Sequence, residues 1–170
     1  LRPTEFIVYA NLSLAYEELS NLHKALLNAK RAFLIDNNGA QNNFNISILQ
    51  LRLGLFADGW KNYEWRWETL GLAKAKLYPF MVHGPSLSGK TVLIRPEQGS
   101  GDFIQMVRYA PLIEKKGANV IIEADPLLLP LLETLNGNYL FIRTGSCLPY
   151  FDFGYPIMSL PYAFDTSLGT

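Results

Sequence analysis

The front of the chain repeats itself at an interval of 34 residues, counted from Asn11 to Asn45. Asn11-Leu12-Ser13 returns as Asn45-Ile46-Ser47, Leu19 as Leu53, Ser20 as Gly54, Leu22 as Phe56, Ala25 as Gly59 and Ala29 as Tyr63. That period belongs to a helix–turn–helix unit that buries its apolar face only by stacking on its neighbours. In residues 6–39, Leu12, Tyr16 and Leu19 recur at helical spacing, Ser20-Asn21 supplies a turn, and Leu22, Ala25, Leu26, Ala29 and Ala32 form the inner stripe of a second helix. The small side chains of Ala25 and Ala32 let the two helices approach closely.

The second unit, residues 40–70, is irregular. Gly54 keeps the turn, while Gly59 weakens the start of the second helix. Trp60, Tyr63, Glu64 and Trp67 share one helical face, with Trp65 directed elsewhere. Such stripes are usually core, so a capping unit that joins two domains is favoured over an aromatic ligand cage. Asn42, Asn43 and Asn45 lie early in the first helix of this unit. They read as caps, with a concave groove for peptide backbone as the alternative.

The pattern then changes. Residues 71–88, with Gly71, Pro79, Gly84 and Pro85, read as a surface linker. Beyond it, Thr91–Arg95 predicts a strand, and Phe103, Met106, Val107, Ala110 and Ile113 predict one helix closed by Gly117. Val120–Glu123 predicts a second strand. Asp125-Pro126 reads as an N-cap before a short helix over 127–135 that is kinked or broken near Pro130, and Tyr139–Ile142 predicts a third strand. Alternating βαβαβ with apolar strands predicts a parallel sheet whose working edge is at the carboxyl ends of its strands. Residues 95–102, 123–125 and 143–147 would gather there. The expected domains are a helical region over 1–70, a linker over 71–88 and an α/β domain over 89–170.

Composition excludes several classes. Lys+Arg and Asp+Glu are both 15, so the formal net charge is zero and the basic surface that nucleic acid requires is missing. Cys147 is the one cysteine and has no internal partner, which points to a reducing, cytoplasmic location. The richest apolar run, Leu127 to Leu132, is short and contains Pro130, so no membrane span is expected. The chain enters a helical pattern directly at Leu1 and stops at Thr170 inside an element, the pattern expected of a fragment cut at both ends.

Two glycine motifs compete for attention. Gly84-Pro85-Ser86-Leu87-Ser88-Gly89-Lys90-Thr91 fits the phosphate-loop spacing, but a linker precedes it and a strand follows. A phosphate loop needs the reverse order, strand then helix, so that backbone N–H groups and the helix dipole face the anion. Gly99-Ser100-Gly101-Asp102 has that order. A dinucleotide fingerprint would need another glycine at Ile104, which argues against a nicotinamide site. Asp102 reads either as a helix N-cap or as a general base in a cleft. His23 and His83 are isolated, with no metal-ligand spacing.

Asp58-Gly59-Trp60, Tyr63-Glu64-Trp65-Arg66, Gly89-Lys90-Thr91, Glu97-Gln98-Gly99, Gly101-Asp102, Arg108-Tyr109 and Ser159-Leu160-Pro161 occur in one order across residues 58–165. In that order they resemble bacterial tetratricopeptide-repeat proteins carrying a glycosyltransferase-like region. Leu12, Ser13, Tyr16, Ser20, Ala25, Ala29 and Ala32 are similar to the repeat's own pattern, with Asp36-Asn37 where that family usually has Asp-Pro. The Gly-Asp turn is similar to that of ADP-heptose transferases, enzymes of the two-domain GT-B fold. The resemblance implies an α + α/β chain: tetratricopeptide helix pairs, then a Rossmann-like parallel sheet forming the N-terminal half of a GT-B fold. It implies Asp102 as the base that deprotonates an acceptor hydroxyl, and Gln98, Gly99, Ser100, Gly101 and Arg108 as substrate-binding residues. Ser100 departs from the larger apolar residue usual there. No cofactor or metal is implied. A nucleotide-sugar donor would be held mainly by a following C-terminal half, and the repeats would recruit a protein or glycan acceptor. The competing expectation is a non-catalytic scaffold, and an NTPase is the third.

Overall fold

The structure is a computed structural model that describes residues 3–35, 39–70 and 86–169. The described residues form two compact units, a helical one up to residue 70 that also takes in residues 166–169, and an α/β one over 86–165. The expected linker lies mostly outside the described residues, as do Asp36-Asn37 and His83.

The helical unit contains α1 (Pro3–Glu18), α2 (Leu22–Ile35), α3 (Ala40–Arg52), α4 (Phe56–Tyr63) and the single turn α5 (Arg66–Thr69). Consecutive helices pack on one another from α1 to α4. Ala25, Leu26, Ala29, Ile46 and Leu49 form the core, with Tyr16, Leu22, Phe33 and Leu53 against it. The sequence echo is also a backbone echo. Ser20 has φ +57° and Gly54 has φ +75°. Asn21 N–H donates to Tyr16 O at 2.8 Å, and Leu55 N–H to Gln50 O at 2.9 Å. Ser20 N–H donates to Glu17 O at 2.8 Å, and Gly54 N–H to Leu51 O at 3.0 Å. Both α1 and α3 therefore end in the same left-handed turn, which returns the chain antiparallel and satisfies the last carbonyls.

Two expectations for this unit change. Gly39 is the N-cap of α3 and no side chain caps it; Asn42, Asn43 and Asn45 lie inside the helix. The chain cannot hold Trp60 to Trp67 on one helical face, because the helix breaks after Tyr63. Tyr63 and Trp67 are buried and Trp65 is more exposed, as the pattern suggests. Between them sits Arg66, fully buried at 0% exposure, its guanidinium 4.9 Å from the Tyr63 ring and 4.8 Å from the Trp67 ring. Its Nη1 donates to Glu64 Oε1 at 2.7 Å and to Tyr63 O at 3.2 Å. The charge is tolerable there because it is paired and stacked.

The α/β unit runs β1 (Thr91–Arg95), α6 (Ser100–Met106), a 3₁₀ turn (Val107–Tyr109), α7 (Ala110–Glu114), β2 (Asn119–Ala124), α8 (Leu129–Leu132), β3 (Tyr139–Arg143), β4 (Phe153–Pro156), a second 3₁₀ turn (Ile157–Ser159) and α9 (Leu160–Ala163). The sheet has four strands in the order β3-β2-β1-β4, all parallel. Val92, Leu93, Ile94 and Ile122 are fully buried, as the apolar runs require for a sheet covered on both faces. The expected single helix after β1 is instead α6, a 3₁₀ turn and α7, because Pro111 has no N–H to continue the ladder. Asp125 is not a helix cap: its Oδ1 accepts from Leu127 N–H at 2.8 Å, and α8 begins only at Leu129, with Pro130 in its first turn rather than breaking it. β4 is absent from the sequence-based expectation. Gly154 and Pro156 hide a strand that is short and ends on its proline.

Candidate functional site

β1 leads to β2 on one side of the sheet, whereas β4 pairs with β1 on the other. That reversal is a topological switch point, and the region beyond the carboxyl ends of β1 and β4 is where open parallel sheets take ligands. Residues 96–99 cross this edge and deliver the chain to α6, which packs on the turn Ile157–Ser159 that follows β4. Gly99 is the N-cap, with extended backbone (φ −68°, ψ 165°). Its carbonyl accepts from Phe103 N–H at 3.2 Å.

Asp102 is half-buried in the first turn of α6, three residues past Gly99, so it is not the N-cap residue. Its charge there complements the helix dipole. Neither Gly99 nor Gly101 has positive φ. A Cβ on Gly101 would meet nothing within 4 Å, and one on Gly99 would meet only Asp102 Oδ2, at 3.9 Å. Backbone geometry and internal packing therefore demand neither glycine. Their effect is a bare backbone surface beside a carboxylate.

Gln98, Gly99, Ser100 and Gly101 are exposed on this same turn. Arg108 is not brought to them. It lies past the far end of α6, about 10 Å further along by helical rise, and stacks on Tyr109 with its Cζ 5.3 Å from the ring. Of the groups expected at the carboxyl edge, Glu123 is joined to β1 directly: Arg95 Nε–H donates to Glu123 Oε2 at 2.8 Å. Arg143 pairs in register with Ala124, one residue beyond Glu123, and so belongs to the opposite face of the sheet. Sequence reasoning missed the Arg95–Glu123 pair; its signal was a charged residue at the end of each of two apolar strands.

At the amino edge, the residues that fit a phosphate-loop spacing form a strand entry. Gly89 has φ +71° and donates to Gly117 O at 3.0 Å. Lys90 Nζ lies 3.1 Å from Asp152 Oδ1, and Thr91 N–H donates to Asp152 Oδ2 at 2.8 Å. These bonds hold the Asp152 carboxyl below its ordinary range, the Thr91 amide first and Lys90 second. Gly84 and Pro85 lie outside the described residues.

The helical unit carries a groove of about 240 Å³ lined by Ala10, Ser13, Leu14, Asn42, Asn45 and Ile48 among others. Asn45 Oδ1 accepts from Gln41 Nε2 at 2.7 Å, and Asn43 Nδ2 donates to Gly39 O at 3.3 Å. Among the described residues no group of three or more His, Cys, Asp and Glu is arranged to hold a metal ion, and no helix is long and apolar enough to cross a membrane. No family model, curated protein or solved structure matches the chain.

Proposed function

We propose that the α/β unit is the acceptor-side half of a GT-B glycosyltransferase and that the helical unit is a tetratricopeptide array that recruits its protein or glycan acceptor in the cytoplasm. The observation that carries this reading is the pair of glycines at the β1–α6 turn, left uncrowded beside Asp102 at the switch point of the sheet. Inverting glycosyl transfer needs a base on the acceptor hydroxyl and stabilisation of the anionic leaving group. Asp102 supplies the carboxylate. The first-turn N–H groups of α6, which have no intrahelical acceptors, suit an anion. The nucleotide sugar is a substrate, and in a GT-B arrangement a second domain holds most of it.

The test uses two substitutions with opposite effects on the fold. Asp102→Asn keeps the shape and removes the base, and lowers sugar transfer about 10²–10⁴-fold in the longest natural form of the protein. Gly101→Ala raises helix propensity by up to ~1 kcal/mol, yet lowers transfer by placing a methyl group where the ligand's backbone contact belongs. Transfer near the wild-type rate in both variants rejects the reading, as does an Asp102→Asn loss that only tracks unfolding. A non-catalytic scaffold is the second reading, favoured by the asparagine-lined groove. It is preferred if those two variants keep full biological function while Asn42→Ala/Asn45→Ala loses partner binding.

A further inference from the structure

We infer that Arg95 is a phosphoryl-recognition residue, held by Glu123 so that its outer guanidinium edge faces a ligand at the carboxyl edge of the sheet. The inference takes its ligand class from the transferase reading, but the site's existence is tested separately. Ile94 lies opposite Ile122 in the parallel register, which brings Arg95 beside Glu123 on the same face. Glu123 is buried, its side chain 4% exposed, and needs a positive partner. Arg95 meets that need through Nε alone, at 2.8 Å, while its side chain remains 51% exposed. No other hydrogen bond or ion pair engages it among the described residues. A guanidinium bound in this way keeps its Nη1–Nη2 edge, with two parallel N–H groups, for a second acceptor. That edge matches two oxygens of a phosphoryl group.

The need of buried Glu123 accounts for the Nε contact, and it leaves the solvent-exposed remainder of the Arg95 guanidinium uncommitted. The turn beside it adds a demand of its own. Asp102 is acidic and sits in the first turn of α6, so a phosphoryl group beside it meets repulsion unless a cation lies at hand. Arg95 ends the strand that enters that turn. Arg108 is stacked on Tyr109 past the far end of α6, and Arg143 belongs to the opposite face.

The experiment is an NMR titration of the 170-residue chain, following the Arg95 Nε–Hε signal and the amides of residues 97–104 at constant ionic strength. The probes are inorganic phosphate, UDP and glucose 6-phosphate. Phosphate is expected to shift the Arg95 signal and the turn amides together. The double variant Arg95→Gln/Glu123→Gln keeps a neutral hydrogen-bonded pair, so the fold survives; it weakens phosphate binding by about tenfold or more. Arg95→Lys keeps the charge without the fork and falls in between. Lys90→Gln, at the opposite edge of the sheet, binds as wild type. Stronger binding of UDP assigns Arg95 to the leaving group, and stronger binding of glucose 6-phosphate assigns it to the acceptor. Absence of an Arg95 shift at millimolar phosphate, or equal binding by the double variant, overturns the inference. The Asp102→Asn rates stand apart from this result, since the titration involves no turnover.

Discussion

A methyl group added at Gly59 would lie 2.7 Å from Leu51 Cδ2, 2.9 Å from Leu51 Cγ and 3.2 Å from Leu51 N. The position is buried where α4 crosses α3, so the glycine that weakens the helix in isolation is what lets the two helices touch. Ala would add up to ~1 kcal/mol of helix propensity and cost about 1–3 kcal/mol of overpacking. With the full propensity gain the net cost is about 0–2 kcal/mol, so Gly59→Ala is expected to destabilise the helical unit by about 1 kcal/mol, read from the shift in urea midpoint. Ser20 presents the opposite case. It occupies the left-handed turn that Gly54 occupies one repeat later. Ser20→Gly is expected to stabilise the unit by about 0.5–1 kcal/mol, since relief of left-handed strain exceeds the added unfolded-chain entropy. At this scale the repeat spacing was legible in the sequence. The reason for Gly59 was not, because it is set by an atom of Leu51 on another helix.

At the scale of elements, β1 and β4 are fastened at their amino ends by Asp152, which accepts from Thr91 N–H and pairs with Lys90 while its own N–H donates to Thr91 O at 2.9 Å. Its folded-state pKa lies below the ordinary 3.8, so the unfolded chain takes up a proton first as the pH drops. The clasp's contribution is complete above about pH 4 and is lost as the pH falls through the lower, folded value. A melting-temperature series from pH 6 to pH 2 should show a steeper acid decline in the wild type than in Asp152→Asn. Equal acid slopes would remove Asp152 from the account. β4 itself was not legible: four residues carrying a glycine and a proline have little β character alone, and the parallel bonds to β1 make them a strand. The break between α6 and α7 was legible in principle at Pro111, which forbids one continuous helix.

For the molecule as a whole, the order of elements decides which glycine loop can serve a ligand. Lys90 precedes a strand and is engaged by Asp152, so calorimetry should give no ATP-binding heat that Lys90→Ala abolishes; a tight, Lys90-dependent site would contradict this. Gly99 to Asp102 cap and open the helix that follows a strand, and that order followed from local pattern: an apolar run of five residues, glycine, then helical spacing. The two-part division, helices before a parallel sheet, was also readable, because the hydrophobic period changes along the chain. Local sequence determined the period, the turns and the place of Asp102 in the chain. Only tertiary structure decided that β4 joins the far side of β1, that Glu123 meets Arg95, and that Arg66 is buried between Tyr63 and Trp67. The physical reason is range. Periodicity and capping act within a few residues, whereas register, burial and the pairing of charges depend on partners that only folding brings together.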